Sequence, residues 1–483
     1  MRKIVLPLAW VALVVLLSLG VSGCKPRDAQ TLTAKPNIIF ILADDMRKDD
    51  LNYMPQTRAL LEEHGMSFEN AFVSNALCCP SRATIMRGQY SHNTGVWTNE
   101  NSSIGGWQAY QRNDNEEDNV ATRLQALGYR TGLFGKYLNG YKDTTVRPPG
   151  WDRWFAHVNG TNYYDYQIND DGTIKHYGST SADYEADVIA DHAKTFIGTS
   201  AKASVPFFAY VAPIAPHSEE GLGKPVPAPR HEHTYDGLKA PRTPSFNEQD
   251  VSDKPSWIRK LPKLSAAQKA KIDDRHASRA ESLQAVDDLV AGVVGKLSEE
   301  GVLGNTYIFF TSDNGEHEGE HGIKGDKWRP YEEDIHMPLV VRGPGIAAGS
   351  TTYKLALNTD YLPTFTDLAG VQRPPYVDGR SLGPVLEGNV TSWRNAILLE
   401  GTQNTTYAPA YHGIRTVSTD TTSTERKYVE YQGTERELYD LGADPYELTN
   451  RYDATAPPAE LVSRLKTLET CKGDGCRAAE DGQ

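Results

Sequence analysis

The stretch Asn37-Ile38-Ile39-Phe40-Ile41-Leu42-Ala43-Asp44-Asp45 decides the fold, because it joins an uninterrupted apolar run to a pair of aspartates. A short apolar run without polar alternation is typical of a strand that is buried on both faces of a sheet. A second run of this kind, from Thr306 to Thr311, precedes Asp313-Asn314-Gly315. The sequence therefore predicts two buried strands whose carboxyl ends both carry oxygen-bearing side chains.

Further predicted elements alternate along the chain. Strand-like runs lie at 131–134 and 206–212, and helical patterns lie at 120–128, 182–197 and 265–300. This alternation predicts an α/β protein with a large, mostly parallel sheet that helices flank on both faces. Residues 219–263 are rich in Pro, His and charge without a clear period, so we expect a long surface excursion there.

The pattern changes after about Pro375. Short β-like stretches at 396–399 and 427–431 are followed by a helical pattern at 459–468. The change predicts a catalytic domain of residues 36–375 and a smaller C-terminal subdomain of residues 376–483, built from an antiparallel sheet and a helix.

The aspartates that follow the two strands are candidate metal ligands. Ligands of open α/β sheets bind at the carboxyl ends of the strands, and carboxylates gathered there repel one another unless a cation joins them. Oxygen ligands without nearby Cys or His favour Ca²⁺ or Mg²⁺ over zinc. The alternative is that Asp44 and Asp313 merely cap helices or turns. Because both motifs fall on one sheet edge, we expect a metal site.

The N-terminus has the pattern of an export signal. Arg2 and Lys3 precede an apolar run from Ile4 to Gly20, and Val21-Ser22-Gly23-Cys24 follows. The alternative is a retained anchor helix, which the short apolar run disfavours. The ending resembles a bacterial lipobox, which implies a signal peptide of residues 1–23, a lipid on Cys24 and a tether of residues 24–35. We therefore expect an exported lipoprotein at the cell surface or in the periplasm.

Charge excludes some partners. The formal net charge is −13, and it becomes −15 without residues 1–23, because these contain Arg2, Lys3 and no acid. A surface of this sign does not attract nucleic acid. An anionic substrate would need a local cluster of Arg, Lys and His.

The cysteines divide by position. Cys471 and Cys476, separated by Lys-Gly-Asp-Gly, could close a small disulfide loop, as exported proteins often have. Adjacent Cys78 and Cys79 indicate chemistry or burial rather than a structural bridge.

The most specific motif is Cys78-Cys79-Pro80-Ser81-Arg82, which resembles the Cys-x-Pro-Ser-Arg signature of type I sulfatases. In that family a dedicated formylglycine-generating enzyme oxidises the first cysteine to formylglycine. Other stretches match in family order, among them Tyr331-Glu332-Glu333 and Leu438-Tyr439-Asp440-Leu441. Phe134-Gly135-Lys136-Tyr137-Leu138-Asn139 looks closest to glucosamine-6-sulfatases and extracellular heparan endosulfatases.

The resemblance implies an alkaline-phosphatase-like fold and a set of site residues. The implied calcium ligands are Asp44, Asp45, Asp313, Asn314 and the formylglycine at position 78. The implied catalytic and sulfate-binding residues are Cys78, Arg82, Lys136, His217 and Lys327, and they include the positive cluster that an acidic protein needs. Arg82 would lie one turn after Cys78 if a helix begins at Pro80. His317 is a candidate acid for the leaving alcohol, whereas His92, His231, His233 and His321 are expected to have surface or packing roles.

The implied chemistry explains the unusual nucleophile. A hydrated aldehyde offers two hydroxyls on one carbon, so that one attacks sulfur and expels the alcohol, and loss of the proton from the other expels sulfate. Calcium would polarise a sulfate oxygen and lower the pKa of the attacking hydroxyl. We expect hydrolysis of sulfate esters, and sulfated sugars of the glucosamine-6-sulfate type are the expected substrates.

Two positions depart from the family pattern. Leu138 stands where many sulfatases have a histidine, and Arg87 replaces the threonine that commonly follows in the modification signature. Two alternatives therefore stay open. One is a phosphonate or phosphate ester hydrolase of the same fold, and the other is an inactive surface lipoprotein that binds sulfated glycans.

Overall fold

The computed structural model describes residues 35–142, 144–158, 160–402, 408–418 and 425–482. From Lys35 onward the chain forms one compact unit. The predicted signal peptide, the lipid site and the tether up to Ala34 lie outside the described residues. Within the described ranges, none of the helices combines the length and the apolar character needed to cross a bilayer.

Strands carry most of the architecture. In the described ranges they are β1 (Asn37–Ala43), β2 (Met66–Phe68), β3 (Ala71–Phe72), β4 (Arg130–Gly135), β5 (Arg153–His157), β6 (Tyr166–Asp170), β7 (Thr173–Tyr177), β8 (Phe207–Ala212), β9 (Thr306–Ser312), β10 (Leu339–Arg342), β11 (Ser350–Thr352), β12 (Ala356–Leu357), β13 (Ala396–Gly401), β14 (Tyr411–Thr416), β15 (Arg426–Tyr431) and β16 (Arg436–Asp440). One sheet has the order β11-β2-β10-β9-β1-β8-β4-β5-β6-β7, and β13 to β16 form a second sheet.

The centre of the large sheet is parallel. Strands β9, β1, β8, β4 and β5 pair in parallel, whereas β10 and the arm of β6 and β7 join antiparallel at either side. The register of β1 and β9 aligns Ala43 with Ser312, so the residues that follow these two strands emerge side by side. The register therefore brings the two polar motifs to one edge of the sheet.

Helices cover both faces, as the sequence predicted. The longer helices in the described ranges are α1 (Cys78–Arg87), α2 (Gly106–Arg112), α3 (Val120–Ala126), α4 (Glu185–Lys202), α5 (Ala266–Glu299), α6 (Tyr361–Leu368), α7 (Ala459–Leu468) and α8 (Asp474–Asp481). Phe40 belongs to the core formed with α1, α3 and α6, and Ile39 and Ile41 belong to the opposite core formed with α4 and α5. A strand that is buried on both faces produces the continuous apolar run seen in β1.

The smaller sheet is antiparallel throughout and packs with α7 and α8. Its core includes Ile397, Leu399 and Leu465, and it also takes in Phe72 and Ala76 from the segment before α1. Cys471 and Cys476 form the predicted disulfide, with a Cα separation of 4.8 Å. The proposed division of the chain near residue 375 stays a prediction.

The alternation of strands and helices is confirmed, with bounds within a few residues of those expected. The antiparallel additions β2, β10, β6 and β7 were not predicted, because short or amphipathic strands give weak periodic signals. Helix α1 begins at Cys78 rather than at Pro80. It ends at Arg87, and the capping residue Gly88 has a φ of 66°, the left-handed conformation that glycine adopts readily.

Candidate active site

The ends of β1 and β9 hold a cluster of oxygen atoms. The backbone N–H of Asp45 donates to Asp313 Oδ1 at 3.2 Å, and Asn314 Nδ2 donates to Asp45 Oδ1 at 2.6 Å. Asp44, Asp313 and Asn314 are fully buried. The sequence prediction that these side chains converge is therefore confirmed in the geometry.

The oxygen atoms of this cluster fit a hard divalent cation. Asn314 Oδ1 is buried and has no hydrogen-bond partner among the described residues. A buried amide oxygen without a partner is energetically costly unless a ligand supplies the missing interaction. The nearby carboxylates of Asp44, Asp45 and Asp313 supply the oxygen ligands that Ca²⁺ prefers. The cluster that could hold an ion also includes Cys78 and His217, with one ligand atom of each of Asp44, Asp45, Cys78 and His217 within 4.8 Å of the others.

Cys78 is the first residue of α1, and its side chain faces this cluster. Its Sγ lies 3.6 Å from Asp44 Oδ1 and 3.9 Å from Asp45 Oδ1. Burial raises the pKa of the thiol to about 12, with the neighbouring carboxylates adding to the effect against Lys136 and Lys327. Because the thiolate is the nucleophilic form, this shift disfavours direct nucleophilic attack by unmodified Cys78.

Arg82 lies one helical turn after Cys78 and ties three parts of the site together. Its Nε donates to Asp313 Oδ2 at 2.7 Å and its Nη1 donates to the carbonyl oxygen of Lys136 at 2.9 Å. Its Nη2 is 3.7 Å from Asp44 Oδ1. Arg82 is fully buried, so the guanidinium acts as a fixed charge inside the site.

Two lysines balance the carboxylates. Lys136, which directly follows β4, pairs with Asp44, and Lys327 pairs with Asp45. Burial alone would raise the pKa of Asp44, but Lys136, His217 and Arg82 outweigh it and hold that pKa below the ordinary value. Burial would lower the pKa of both lysines, and the same carboxylates raise it instead. Both lysines are therefore positively charged.

His217 and Lys327 are held in defined positions. His217 Nδ1–H donates to the carbonyl oxygen of Ser218 at 2.6 Å, which turns Nε2 toward Asp45 Oδ2 at 3.6 Å. The neighbours of Lys327, Asp326 and Trp328, have φ angles of 73° and 79°. Left-handed backbone is unfavourable for residues other than glycine and is concentrated at functional sites.

The side chain of His317 contacts Asp334 rather than a residue of this cluster. It is fully buried, and its Nδ1 is 2.6 Å from Asp334 Oδ1. Burial, with Arg329 adding to it, holds the pKa of His317 well below its ordinary value. A general acid must carry a proton at the working pH. The structure therefore gives this role no support, and it stays a prediction.

Sequence reasoning missed Arg279, in the middle of α5. This fully buried residue donates to the carbonyl oxygen of Asp45 at 2.7 Å, to Asp50 Oδ2 at 2.6 Å and to Glu316 Oε2 at 2.6 Å. The sequence signal that could have found it is its spacing. Arg279 lies three residues before Ser282 and four before Leu283, so it shares the buried face of a long helix. Arg279 holds the backbone at the end of β1.

The two departures from the family pattern have different settings. Leu138 lines a cavity of about 350 Å³ beside the site, together with Lys136 and His217. Arg87 lies at the other end of α1, where its guanidinium stacks 4.0 Å from the ring centre of Tyr376 and bonds to the carbonyl oxygen of Asp118. In the folded chain Arg87 thus has a packing role remote from Cys78.

A cavity of about 610 Å³ opens onto the site. Its wall includes Asp45, His217 and Lys327, and loop residues 98–100 form another part of it. This volume suits a small organic ligand of sugar size. Fixed cations around an oxygen cluster suit an anionic ester, and the alkaline-phosphatase-like α/β fold places them at the carboxyl edge of its parallel strands. The fold and the site define an ester hydrolase of that class.

The chain belongs to the sulfatase family. The sulfatase family model matches residues 36–371, and the model described as the C-terminal region of N-sulphoglucosamine sulphohydrolase matches residues 319–471. The protein is accordingly a sulfuric ester hydrolase, as the sequence resemblance implied.

Named relatives agree with this assignment. The chain is 34% identical to the N-acetylglucosamine-6-sulfatase of Homo sapiens over 92% of the chain and 86% of that protein. It is 37% identical to the extracellular sulfatase SULF-1 homolog of Drosophila melanogaster over 76% of the chain, but it spans only 33% of that relative's length. A solved structure, in complex with its substrate D-glucosamine-2-N,6-O-disulfate, superposes with a TM-score of 0.76 at 26% identity, covering 93% of this chain and all of the other.

Proposed function

We propose that this sulfatase removes 6-sulfate groups from glucosamine-based sugars, using a formylglycine made from Cys78 and a bound Ca²⁺. The observation that carries the proposal is the meeting of Cys78, three carboxylates and three cations at one edge of the sheet. Two relatives support the choice of sugar, since one is named for N-acetylglucosamine 6-sulfate and the other was solved with a 6-O-sulfated glucosamine.

The metal proposal assigns Ca²⁺ to Asp44, Asp45, Asp313, Asn314 and residue 78. A bound divalent cation withdraws electron density from a sulfate oxygen and from a coordinated hydroxyl. The carboxylates of Asp44 and Asp45 would then have a second positive partner besides Lys136 and Lys327. The two lysines would then be available to bind the oxygens of an incoming sulfate, because the cation would share the carboxylates with which they pair.

The nucleophile proposal depends on conversion of Cys78. A formylglycine supplies, in its hydrated form, a hydroxyl nucleophile whose partner hydroxyl lets the residue be regenerated. Burial raises the pKa of the thiol to about 12, which disfavours the thiolate that a cysteine nucleophile would need. A formylglycine-generating enzyme is therefore the implied maturation partner, acting on Cys78 before α1 is buried.

The chain's own residues would bind and orient the sulfate. Lys136, directly after β4, and Lys327, in the loop between β9 and β10, would neutralise sulfate oxygens, while Nε2 of His217 lies near the same carboxylates. Arg82 keeps the first turn of α1 fixed against Asp313 and would stop residue 78 from drifting. Holding reactants in such fixed geometry removes much of the entropic part of the barrier.

The location of the protein is also proposed. The residues of the signal peptide and lipobox support export and a lipid anchor on Cys24, with residues 24–35 as the tether. Relatives named extracellular sulfatases are consistent with export. The catalytic domain would be residues 36–375, and residues 376–483 would form the C-terminal subdomain.

The first test is peptide mass spectrometry on protein from its native host. Conversion of Cys78 to formylglycine makes its peptide about 18 Da lighter, and we expect that lighter peptide. The same preparation should hydrolyse glucosamine 6-sulfates, and EDTA should abolish turnover until Ca²⁺ is restored. A Cys78→Ala variant is the control for contaminating activity.

The alternatives predict different results. Faster turnover of an aryl phosphonate than of the matched aryl sulfate would favour the phosphonate hydrolase. Unmodified Cys78, together with binding but no hydrolysis of sulfated glycans, would favour the binding lipoprotein.

A further inference from the structure

The cavity over the active site has an uneven distribution of charge. Its wall includes His217 and Lys327, which would contact a sulfate, and it also carries four acids, Asp45, Glu100, Glu316 and Asp326. Which of these acids already have a cationic partner determines what else a substrate can carry. The following inference rests on the proposed function and specifies its substrate class.

Two of the acids are paired. Asp45 pairs with Lys327, and Glu316 pairs with Arg279 at 2.6 Å and with Arg275 at 3.4 Å.

The remaining cation of the cavity wall, Arg275, is not free to bind a second anion. Its Nη2 donates to the carbonyl oxygens of His317 and Lys324, at 3.0 and 2.9 Å, while its Nη1 faces Glu316. The side chain of Arg275 is only 14% exposed. Arg275 therefore does not provide a binding site for a second sulfate in this cavity.

Glu100 and Asp326 are the acids without a cationic partner. Among the residues that the structure describes, no lysine, arginine or histidine forms an ion pair with either carboxylate. Glu100 is exposed and Asp326 is partly exposed. Each therefore presents a negative charge to whatever occupies the cavity.

Both acids lie next to residues of the reaction centre. Asn99 Oδ1 accepts the backbone N–H of Cys79 at 2.9 Å, which fixes the loop that carries Glu100 against the start of α1. Asp326 immediately precedes Lys327, and its Oδ1 accepts the backbone N–H of Lys327 at 2.9 Å. Both acids line the cavity that His217 and Lys327 also line, so a sugar that occupies this cavity is exposed to their charge.

We infer that Glu100 and Asp326 select sugars that carry a single sulfate and a positively charged amino group. An ammonium group near these carboxylates is attracted, a neutral acetamide is tolerated and an N-sulfate is repelled. The preference thus runs from glucosamine-6-sulfate through N-acetylglucosamine-6-sulfate to N-sulfoglucosamine-6-sulfate. This preference therefore disfavours the kind of sugar found in the solved structural neighbour, which carries both an N-sulfate and a 6-O-sulfate.

The test measures binding without requiring turnover. A full-length Cys78→Ser protein in Ca²⁺ is titrated by calorimetry with glucosamine-6-sulfate, N-acetylglucosamine-6-sulfate and N-sulfoglucosamine-6-sulfate, at low ionic strength. For partly exposed charges, each pair contributes about two- to fivefold in affinity. We expect the free amine to bind at least about fivefold more tightly than the N-sulfated sugar.

Variants assign the effect to the two acids. Glu100→Gln and Asp326→Asn should each reduce the ratio of the affinity for glucosamine-6-sulfate to that for N-sulfoglucosamine-6-sulfate by about two- to fivefold. Glu117→Gln should leave the ratio unchanged, because Glu117 is exposed, has no ion pair among the described residues and lies outside this cavity.

The outcomes separate this inference from the proposed function. Equal or tighter binding of the N-sulfated sugar would overturn the inference, and so would failure of all three sugars to bind. If the predicted order of binding holds but matured wild-type protein hydrolyses none of the three, the proposed function fails while the selectivity of the cavity stands.

Discussion

Arg82 and Asp313 form an ion pair in which both side chains have no exposed surface, with Nε donating to Oδ2 at 2.7 Å. The pair joins the first turn of α1 to the end of β9, and the same guanidinium bonds to the carbonyl oxygen of Lys136 after β4. Burial raises the pKa of Asp313, and Arg82 opposes that effect. One arginine therefore holds together the nucleophile's helix, a proposed metal ligand and a sulfate-binding lysine.

Arg82→Lys should lower kcat/KM by roughly 100-fold, because a lysine retains the charge but cannot make both hydrogen bonds in fixed geometry. We also expect a loss of about 1–3 kcal/mol in the free energy of unfolding from the unsatisfied buried acceptors. Steady-state kinetics and urea unfolding measure the two effects. Arg87→Lys, on the same helix but stacked on Tyr376, is the control and should keep kcat/KM within a few-fold.

Asn314→Ala should weaken the proposed Ca²⁺ site, since it removes the buried oxygen that has no partner among the described residues. A ligand that binds only the folded protein raises its stability by RT ln(1 + [L]/Kd), so saturating Ca²⁺ should raise the Tm of the Cys78→Ser protein. The same Ca²⁺ concentration should raise the Tm of the Asn314→Ala variant much less. Asn389→Ala, at an exposed position, should respond like the parent, and equal shifts for all three would argue against these ligands.

The oxygen cluster could be predicted from sequence because two patterns coincide. Continuous apolar runs identify buried parallel strands, and ligands bind at the carboxyl ends of such strands. The side chains that follow β1 and β9 could therefore be assigned to one edge before their spatial contacts were known. The signature around Cys78 then added the residue that faces them.

Other parts of the site could not be predicted, because they depend on tertiary packing. Arg279 reaches Asp45 from α5, more than two hundred residues along the chain, and no local period fixes which face of that helix meets the site. The positions of Glu100 and Asp326 on the cavity wall depend on loop conformation. Loops lack the periodicity that made the strands recognisable.

The disulfide between Cys471 and Cys476 should stabilise the C-terminal segment modestly. The two cysteines are five residues apart, and a loop this small restricts the unfolded chain by about 2 kcal/mol in the entropic model. We expect the Cys471→Ser, Cys476→Ser double variant to lose about that much stability and to keep nearly normal kcat/KM, because the loop is outside the active cavity. Chemical denaturation with and without a reductant measures the change. A reductant that destabilises the double variant as strongly as the parent would contradict this assignment.

His92 should make the stability of the fold depend on pH above neutrality. Its Nδ1 lies 2.8 Å from Glu400 Oε2 and its Nε2 lies 2.9 Å from the carbonyl oxygen of Cys471, so that only the protonated ring can donate to both. Burial would lower the pKa of His92, but Glu400 and these hydrogen bonds outweigh it and raise that pKa to about 9.

The sign follows from the raised pKa. A histidine whose pKa is higher in the folded than in the unfolded protein stabilises the fold fully below its ordinary pKa, near 6.5, and the contribution is lost as the pH rises through 9. After allowance for solvent screening, we expect about 1–2 kcal/mol less stability at pH 9.5 than at pH 6 from this group. His92→Gln should remove that part of the pH dependence, whereas His64→Gln, at an exposed position, should leave it intact. Urea unfolding from pH 6 to 9.5 measures the difference, and parallel curves for the parent and His92→Gln would show that this ion pair does not link the fold to pH.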